Sequence, residues 1–391
     1  MIYTMDPKIQ DILNREIKRQ DTTIELIASE NFTSEAIMKL SGSEFTNKYS
    51  EGYPGKRYYN GCEHTDEIEQ LAIDKLKELF GAEFANVQPH SGANANTAVY
   101  QALMKPGDKL FGMDLASGGH LSHGSSPNIS GKIYEAHCYG VDENGLLDYK
   151  SIREEAIKVQ PKVIVAGASA YPRVIDWTIF RKIADEVGAY LLVDMAHYAG
   201  LIAGGVYPNP LPYADVVTST THKTLRGPRG GVILWNDKKF TRRINSAIFP
   251  GTQGGPLMHI IAAKAQCFIE ALDPNFTEYA KQIVLNSKAM VDVFIQHGFK
   301  VQTNGSDSHI ILMDLSSSVY SGREAADLLE THGITVNKNG IPNDPRSFIE
   351  TSGIRIGTSA ETTRGHKEDW FKKLAEKMVE ILKYLIFDIF Q

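Results

Sequence analysis

FRKIADEVGAYLLVDMAH, residues 180–197, decides how the rest of this chain is read. Its first half, FRKIADEVG, reads as a helix closed by glycine, and its second, YLLVDMAH, as a buried strand that runs directly into Asp194 with His197 three residues on. On both sides the same alternation continues. EIEQLAIDKLKELFG (67–81) is a helix, ANVQPHSGANANTAVYQALM (85–104) reads as strand, turn and helix, and KLFGMD, KVIVAGA, ADVVTST and GVILW are short apolar strands. Alternation of this kind specifies an α/β domain with a mostly parallel sheet and a ligand site at the strand ends. After a long helical stretch over roughly 257–297, the pattern restarts with FKVQT, HIILMDL, a helix near 323–332, ITVN, GIRIGT and a last helix, which predicts a second, smaller α/β unit. The expected division is 1–64 for an N-terminal arm helix and a Tyr/Gly-rich loop, 65–272 for the large domain and 273–391 for the small one.

With 391 residues the chain exceeds the size at which one core stops growing, so at least two domains sharing a cleft are expected. An apolar fraction of 42% against 23% charged residues supplies enough core for that and excludes disorder. The net charge of −6 carries no basic tract, which argues against nucleic acid and anionic membranes as partners. Cys62, Cys138 and Cys267 are few and dispersed, as in a reducing compartment; with no apolar signal core at the start and only a short apolar run near the end, a cytoplasmic protein is expected. Asp6-Pro7 caps an amphipathic arm helix bearing Ile9, Ile12, Leu13 and Ile17 on one face.

Lys223 lies between the strands ADVVTST and GVILW, in the segment STTHKTLRGPRGG (219–231). A lone lysine at a strand end is ordinarily a solvated rim charge. Here Gly227, Pro228, Gly230 and Gly231 allow close backbone approach, and Thr218, Thr220, Thr221 and His222 supply donors for a phosphate-bearing ligand. A desolvated lysine amine forms Schiff bases with carbonyl compounds. Asp194, at the end of an apolar strand, needs a cation beside it, and the protonated ring nitrogen of pyridoxal phosphate is such a cation; a helix cap or a structural ion pair is the alternative. In PHSGANAN a helix opens on Ser91, Gly92 and Ala93, whose free N–H groups can hold a phosphate. His120 and His123 in GGHLSHG have no acidic or thiol neighbour in sequence, so a stacking or hydrogen-bonding ring is favoured over a metal ligand. Arg355, in the strand SGIRIGT, can grip a carboxylate with two parallel bonds, though an edge-strand surface charge has the same signature.

Taken together, IELIASENF, NKYSEGYPGKRYYNGCE, ANVQPHSGANAN, GGHLSHG, VDMAHYAGL, THKTLRGPRGG, FPGTQGGP, GITVNKN and TSGIRIGT closely resemble serine hydroxymethyltransferase, nearly collinearly from about residue 6 to residue 365. The resemblance implies a fold type I, aspartate aminotransferase-like pyridoxal-phosphate transferase that interconverts serine and glycine with tetrahydrofolate as one-carbon acceptor. It further implies that Lys223 forms the Schiff base with the cofactor, Asp194 pairs with the pyridine nitrogen and His120 stacks on the ring. Ser91, Gly92, Ala93 and His222 would lie about the phosphate, and Ser169 and His197 about the phenolic oxygen. Arg355 and Ser29 would bind the substrate carboxylate. Tyr49, Glu51 and Tyr59, with Gly254 and Gly255, would come from a second copy of the chain, so a homodimer with shared active sites is implied. In that assignment Glu51 handles the proton of the hydroxymethyl group, and Tyr58, Leu115, Gly119 and Asn339 contact the folate. A folate-independent aldolase of β-hydroxy amino acids and a non-catalytic binding paralogue are the alternatives. The loop NDPRSFIETSG (343–353) departs from the family by lacking its usual turn proline and by carrying Glu350.

Overall fold

A computed structural model describes residues 4–387. Seven strands build the central sheet: β1 (Phe84–Asn86), β2 (Lys109–Met113), β3 (Glu135–Tyr139), β4 (Val163–Ala166), β5 (Tyr190–Asp194), β6 (Val216–Thr220) and β7 (Gly231–Trp235). Their spatial order is β1-β7-β6-β5-β4-β2-β3. The run from β6 to β3 is parallel and β7 is antiparallel to both of its neighbours. Strands β4, β6 and β7 are buried along their whole length, because helices cover both faces. Side chains alternate across a strand, so each face has its own core. Ile164, Leu191, Val193, Val217 and Leu234 join one cluster. Val163, Val165, Leu192, Val216 and Ile233 join the other.

Four further strands, β8 (Lys300–Val301), β9 (Ile310–Asp314), β10 (Asn337–Asn339) and β11 (Gly353–Gly357), form the sheet of the smaller unit in the order β8-β9-β11-β10. All of its pairings are antiparallel. The helices Gly322–Thr331 and Glu368–Phe387 flank it, and the long helical stretch expected before it is two helices, Met258–Ala271 and Pro274–Gln296. Asp273 caps the second and Pro274 opens it, which forces the break. That second helix serves both cores: Phe276, Ala280 and Ile283 pack into the large one, whereas Met290, Val291 and Phe294 pack into the small one. Residues of the N-terminal segment also cross over. Ile24 and Glu25 pair in parallel with Ile334 and Thr335, and Leu26 is fully buried among the apolar residues of the C-terminal unit.

The arm helix Pro7–Thr22 is capped by the Asp6 side chain and buries none of its residues. Its apolar stripe, Ile9, Ile12, Leu13 and Ile17, is exposed. No helix among the described residues is long and apolar enough to cross a membrane.

Candidate active site

The carboxyl ends of the parallel strands open into two adjoining cavities of about 760 and 370 Å³, which share Ser29, His120, Ser169, His197 and Lys223. Ser91, Gly92, Ala93, Asp194, His222 and Arg229 line the inner, smaller one. Leu115, Gly119, Asn339 and Arg355 line the outer one, together with part of the loop 340–351. Residues from both units therefore meet at one cleft.

Lys223 follows β6, and its Nζ donates to Thr220 Oγ1 at 3.0 Å. Burial pulls its pKa from 10.5 down to about 8; Asp194 opposes this, while Arg355 and Arg229 add to it. Roughly a tenth of the amine is thus unprotonated at pH 7, far more than for an ordinary lysine, and that is the form that attacks a carbonyl. Asp194 ends β5, the strand paired with β6. Its Oδ2 accepts from Asn96 Nδ2 at 2.9 Å and lies 3.0 Å from His123 Nε2, and its Oδ1 accepts from the Ala196 N–H at 3.1 Å. Burial resists ionisation of this carboxyl, but the bond to His123 and the neighbouring imidazole charges, with Asn96, hold its pKa below the usual carboxylate range.

His120 turns its Nδ1 toward Ser122, accepting from the Ser122 N–H at 3.1 Å. Burial is the first cause lowering its pKa to about 4, so the ring is neutral and presents an apolar face to the cavity. Ser91 is the N-cap of the helix Gly92–Leu103, with its hydroxyl accepting from the Asn94 N–H. The first N–H groups of such a helix point outward unsatisfied and favour an anion. A Cβ on Gly92 would meet Thr220 Cγ2 at 2.7 Å, so a side chain there would close the turn against β6. His222 is held neutral chiefly by burial, its pKa lowered to about 3.

Arg355 stands mid-way along β11. Its Nε donates to Asn337 Oδ1 at 3.1 Å and one terminal nitrogen donates to the Ser169 carbonyl at 2.6 Å. Burial lowers its pKa to about 10, and its guanidinium remains a cation. The Ser169 N–H donates in turn to the Gly118 carbonyl at 2.7 Å, fixing this stretch against the glycine-rich turn before His120.

The remaining expected residues form a separate group. Tyr59 Oη donates to Glu51 Oε2 at 3.4 Å, the Tyr49 and Tyr59 rings meet edge to face with centroids 5.4 Å apart, and Tyr58 lies 5.6 Å from the Phe249 ring. Gly254 faces Glu51, and a Cβ on Gly255 would strike the Tyr49 ring at 2.9 Å. None of these residues lines either cavity that holds Lys223.

Several residues about the cavities were not singled out from sequence. Arg229 lines the inner cavity, and the second arginine of the LRGPRGG turn was its only signal. Asn96 bonds Asp194 from the helix opened by Ser91, where it looks like an ordinary helical position. His309 reaches across from the small unit, its Nε2 3.3 Å from His197 Nδ1 and both rings buried. A histidine directly before the apolar strand HIILMDL was the trace it left.

The geometry joins a desolvated lysine amine, a buried carboxylate, an anion-binding helix start and a buried arginine in one cleft. The sequence model of the family described as serine hydroxymethyltransferase matches residues 2–378. That match takes in both units and every residue of the cleft, so the chain belongs to the serine hydroxymethyltransferase family of pyridoxal-phosphate-dependent transferases.

Proposed function

We propose that this protein interconverts L-serine and glycine, passing the hydroxymethyl carbon to tetrahydrofolate to give 5,10-methylenetetrahydrofolate, and that it works as a homodimer with shared active sites. The observation that carries this reading is the placement of the Lys223 amine, with its lowered pKa, in a cleft bounded by Asp194 on one side and Arg355 on the other.

The inner cavity fits pyridoxal phosphate. Asp194 is a buried carboxylate held ionised, the helix start at Ser91–Ala93 and Arg229 favour a dianion, and Gly92, where a Cβ would strike Thr220, lets the turn approach β6 closely. When bound, the cofactor supplies the electron sink for the charge left at Cα when a bond of the amino acid breaks. Lys223 and Ser91, with Arg229 and His222, are the residues to hold it, and Asp194 is the residue to hold a proton at its ring nitrogen. His120 bounds one side of the cavity with a neutral ring.

Arg355 binds the substrate carboxylate, with Ser29 beside it. Its bond to the Ser169 carbonyl and its contact with Asn337 hold the guanidinium in place before substrate arrives, so little ordering remains to be done on binding. Glu51 takes the proton of the substrate hydroxyl, a task that suits a carboxylate in a partly dry cleft. The Glu51 and Tyr59 pair lies outside the cavity of its own chain, which supports delivery of these residues to the cleft of a second copy. The outer cavity, with Leu115, Gly119 and Asn339, is the place for the folate, with Tyr58 supplied by the second copy.

The test is a comparison of two reactions by the purified protein loaded with pyridoxal phosphate. Serine should be converted to glycine rapidly only when tetrahydrofolate is present. Efficient cleavage of allo-threonine, indifferent to tetrahydrofolate, would establish the aldolase reading in its place.

A further inference from the structure

Lys264, on the helix Met258–Ala271, is a lysine with 1% exposure and, among the described residues, no carboxylate within ion-pair distance. Its Nζ donates to three backbone carbonyls instead: Val87 at 2.6 Å, Gly231 at 2.9 Å and Pro89 at 3.0 Å. Three acceptors match the three N–H donors of an ammonium; burial pulls its pKa from 10.5 down to about 7, with Glu69 opposing, and the carbonyls are what keep the cation in place. Burying an ammonium is costly unless the geometry is used.

The three carbonyls belong to two segments that must stay in register. Val87 and Pro89 lead into the turn that ends at Ser91, and Gly231 opens β7 two residues after Arg229. The Gly231 N–H also donates to the Pro89 carbonyl at 3.0 Å. Glycine clears the way for this junction at both positions. A Cβ on Gly231 would meet the Ser91 carbonyl oxygen at 2.3 Å, and one on Gly230 would meet Lys264 Cε at 2.5 Å. Electrostatically the ammonium reaches both flanks of the inner cavity, since it helps to depress the pKa of His90, next to Ser91, and of His222, next to Lys223.

We propose that Lys264 is a positioning residue for the phosphate cradle: its ammonium ties the turn before Ser91 to the start of β7, so that the Ser91–Ala93 amides and Arg229 face one anion. This rests on the reading of the inner cavity as the cofactor site. It predicts a defect that depends on the phosphate rather than on the aldehyde or the ring.

The experiment titrates cofactor-stripped protein with two probes, pyridoxal 5'-phosphate and pyridoxal, following binding by fluorescence. Wild type should prefer the phosphorylated probe strongly. Lys264→Met and Lys264→Gln should each weaken pyridoxal 5'-phosphate by about 10- to 100-fold, the range for losing hydrogen bonds to a charged group, while pyridoxal changes by no more than about twofold. Gly230→Ala, which keeps the lysine but crowds it, should show the same selectivity. Equal losses for both probes, unchanged affinities, or failure of all three variants to fold would make Lys264 a general support of the core and overturn the assignment. A wild type that shows no preference between the probes would instead overturn the cofactor reading of the cavity itself.

Discussion

Lys223 stands out in sequence as a candidate Schiff-base lysine because glycines and hydroxyl residues crowd its neighbours, but nothing in the sequence measures its acidity. In the folded chain burial brings its pKa to about 8. Only the unprotonated amine attacks an aldehyde, so the unprotonated fraction falls about tenfold per pH unit below that value and levels off above it. Covalent capture of pyridoxal phosphate by the cofactor-free protein, followed by borohydride reduction and peptide mass analysis of Lys223, should therefore rise with pH to a midpoint near 8. An ordinary lysine would keep gaining to above pH 10, and that result would remove the role assigned to burial. Asp194 and Arg355 were likewise visible as charges in apolar strands. Their partners were not: Asn96, which bonds Asp194, and the Ser169 carbonyl, which accepts from Arg355, come from elements far away in sequence, and nothing in the local pattern marks a contact made only by tertiary packing.

At the level of elements, the fully buried strands were plain because an apolar run bounded by helices has few other readings. The edge strand β3 was missed. In EAHCY only Tyr139 is buried, and Glu135, Ala136 and Cys138 are exposed, so the strand lacks the apolar run by which its neighbours were recognised. The small unit was expected as α/β, and its sheet is antiparallel throughout; strand direction depends on connections that apolar patterning does not encode. The junction between β7 and the Ser91 turn was also hidden in sequence, since the two lie far apart along the chain. It yields a prediction for Gly231→Ala. Because the added methyl meets the Ser91 carbonyl oxygen and carbon, at 2.3 and 2.5 Å, the turn and the strand must separate. Overpacking of this kind costs about 1 to 3 kcal/mol. Thermal unfolding of the cofactor-free variant should shift down accordingly, and a variant as stable as wild type would show that the junction is loose.

For the molecule as a whole, the arm helix presents an unpaired apolar face, with Ile12 and Ile17 at 58% and 50% exposure. Contiguous exposed apolar surface on a soluble protein marks a contact site. If a second copy covers this face and supplies Glu51, then Ile12→Glu with Ile17→Glu should give a monomer by analytical ultracentrifugation, and serine conversion should fall with it. A double variant that sediments as wild type does would place the contact elsewhere. The crossing of Leu26 into the C-terminal unit has another consequence, in time rather than space. During synthesis Leu26 emerges early, yet its partners at Ile334 and in β11 follow some three hundred residues later, a wait on the order of tens of seconds at typical elongation rates. Lys223 and Asp194 can settle into the large core while translation proceeds. Ser29, three residues beyond Leu26, is fixed only when the last third of the chain has left the ribosome, so the cleft is completed last on the side bounded by Ser29 and Arg355.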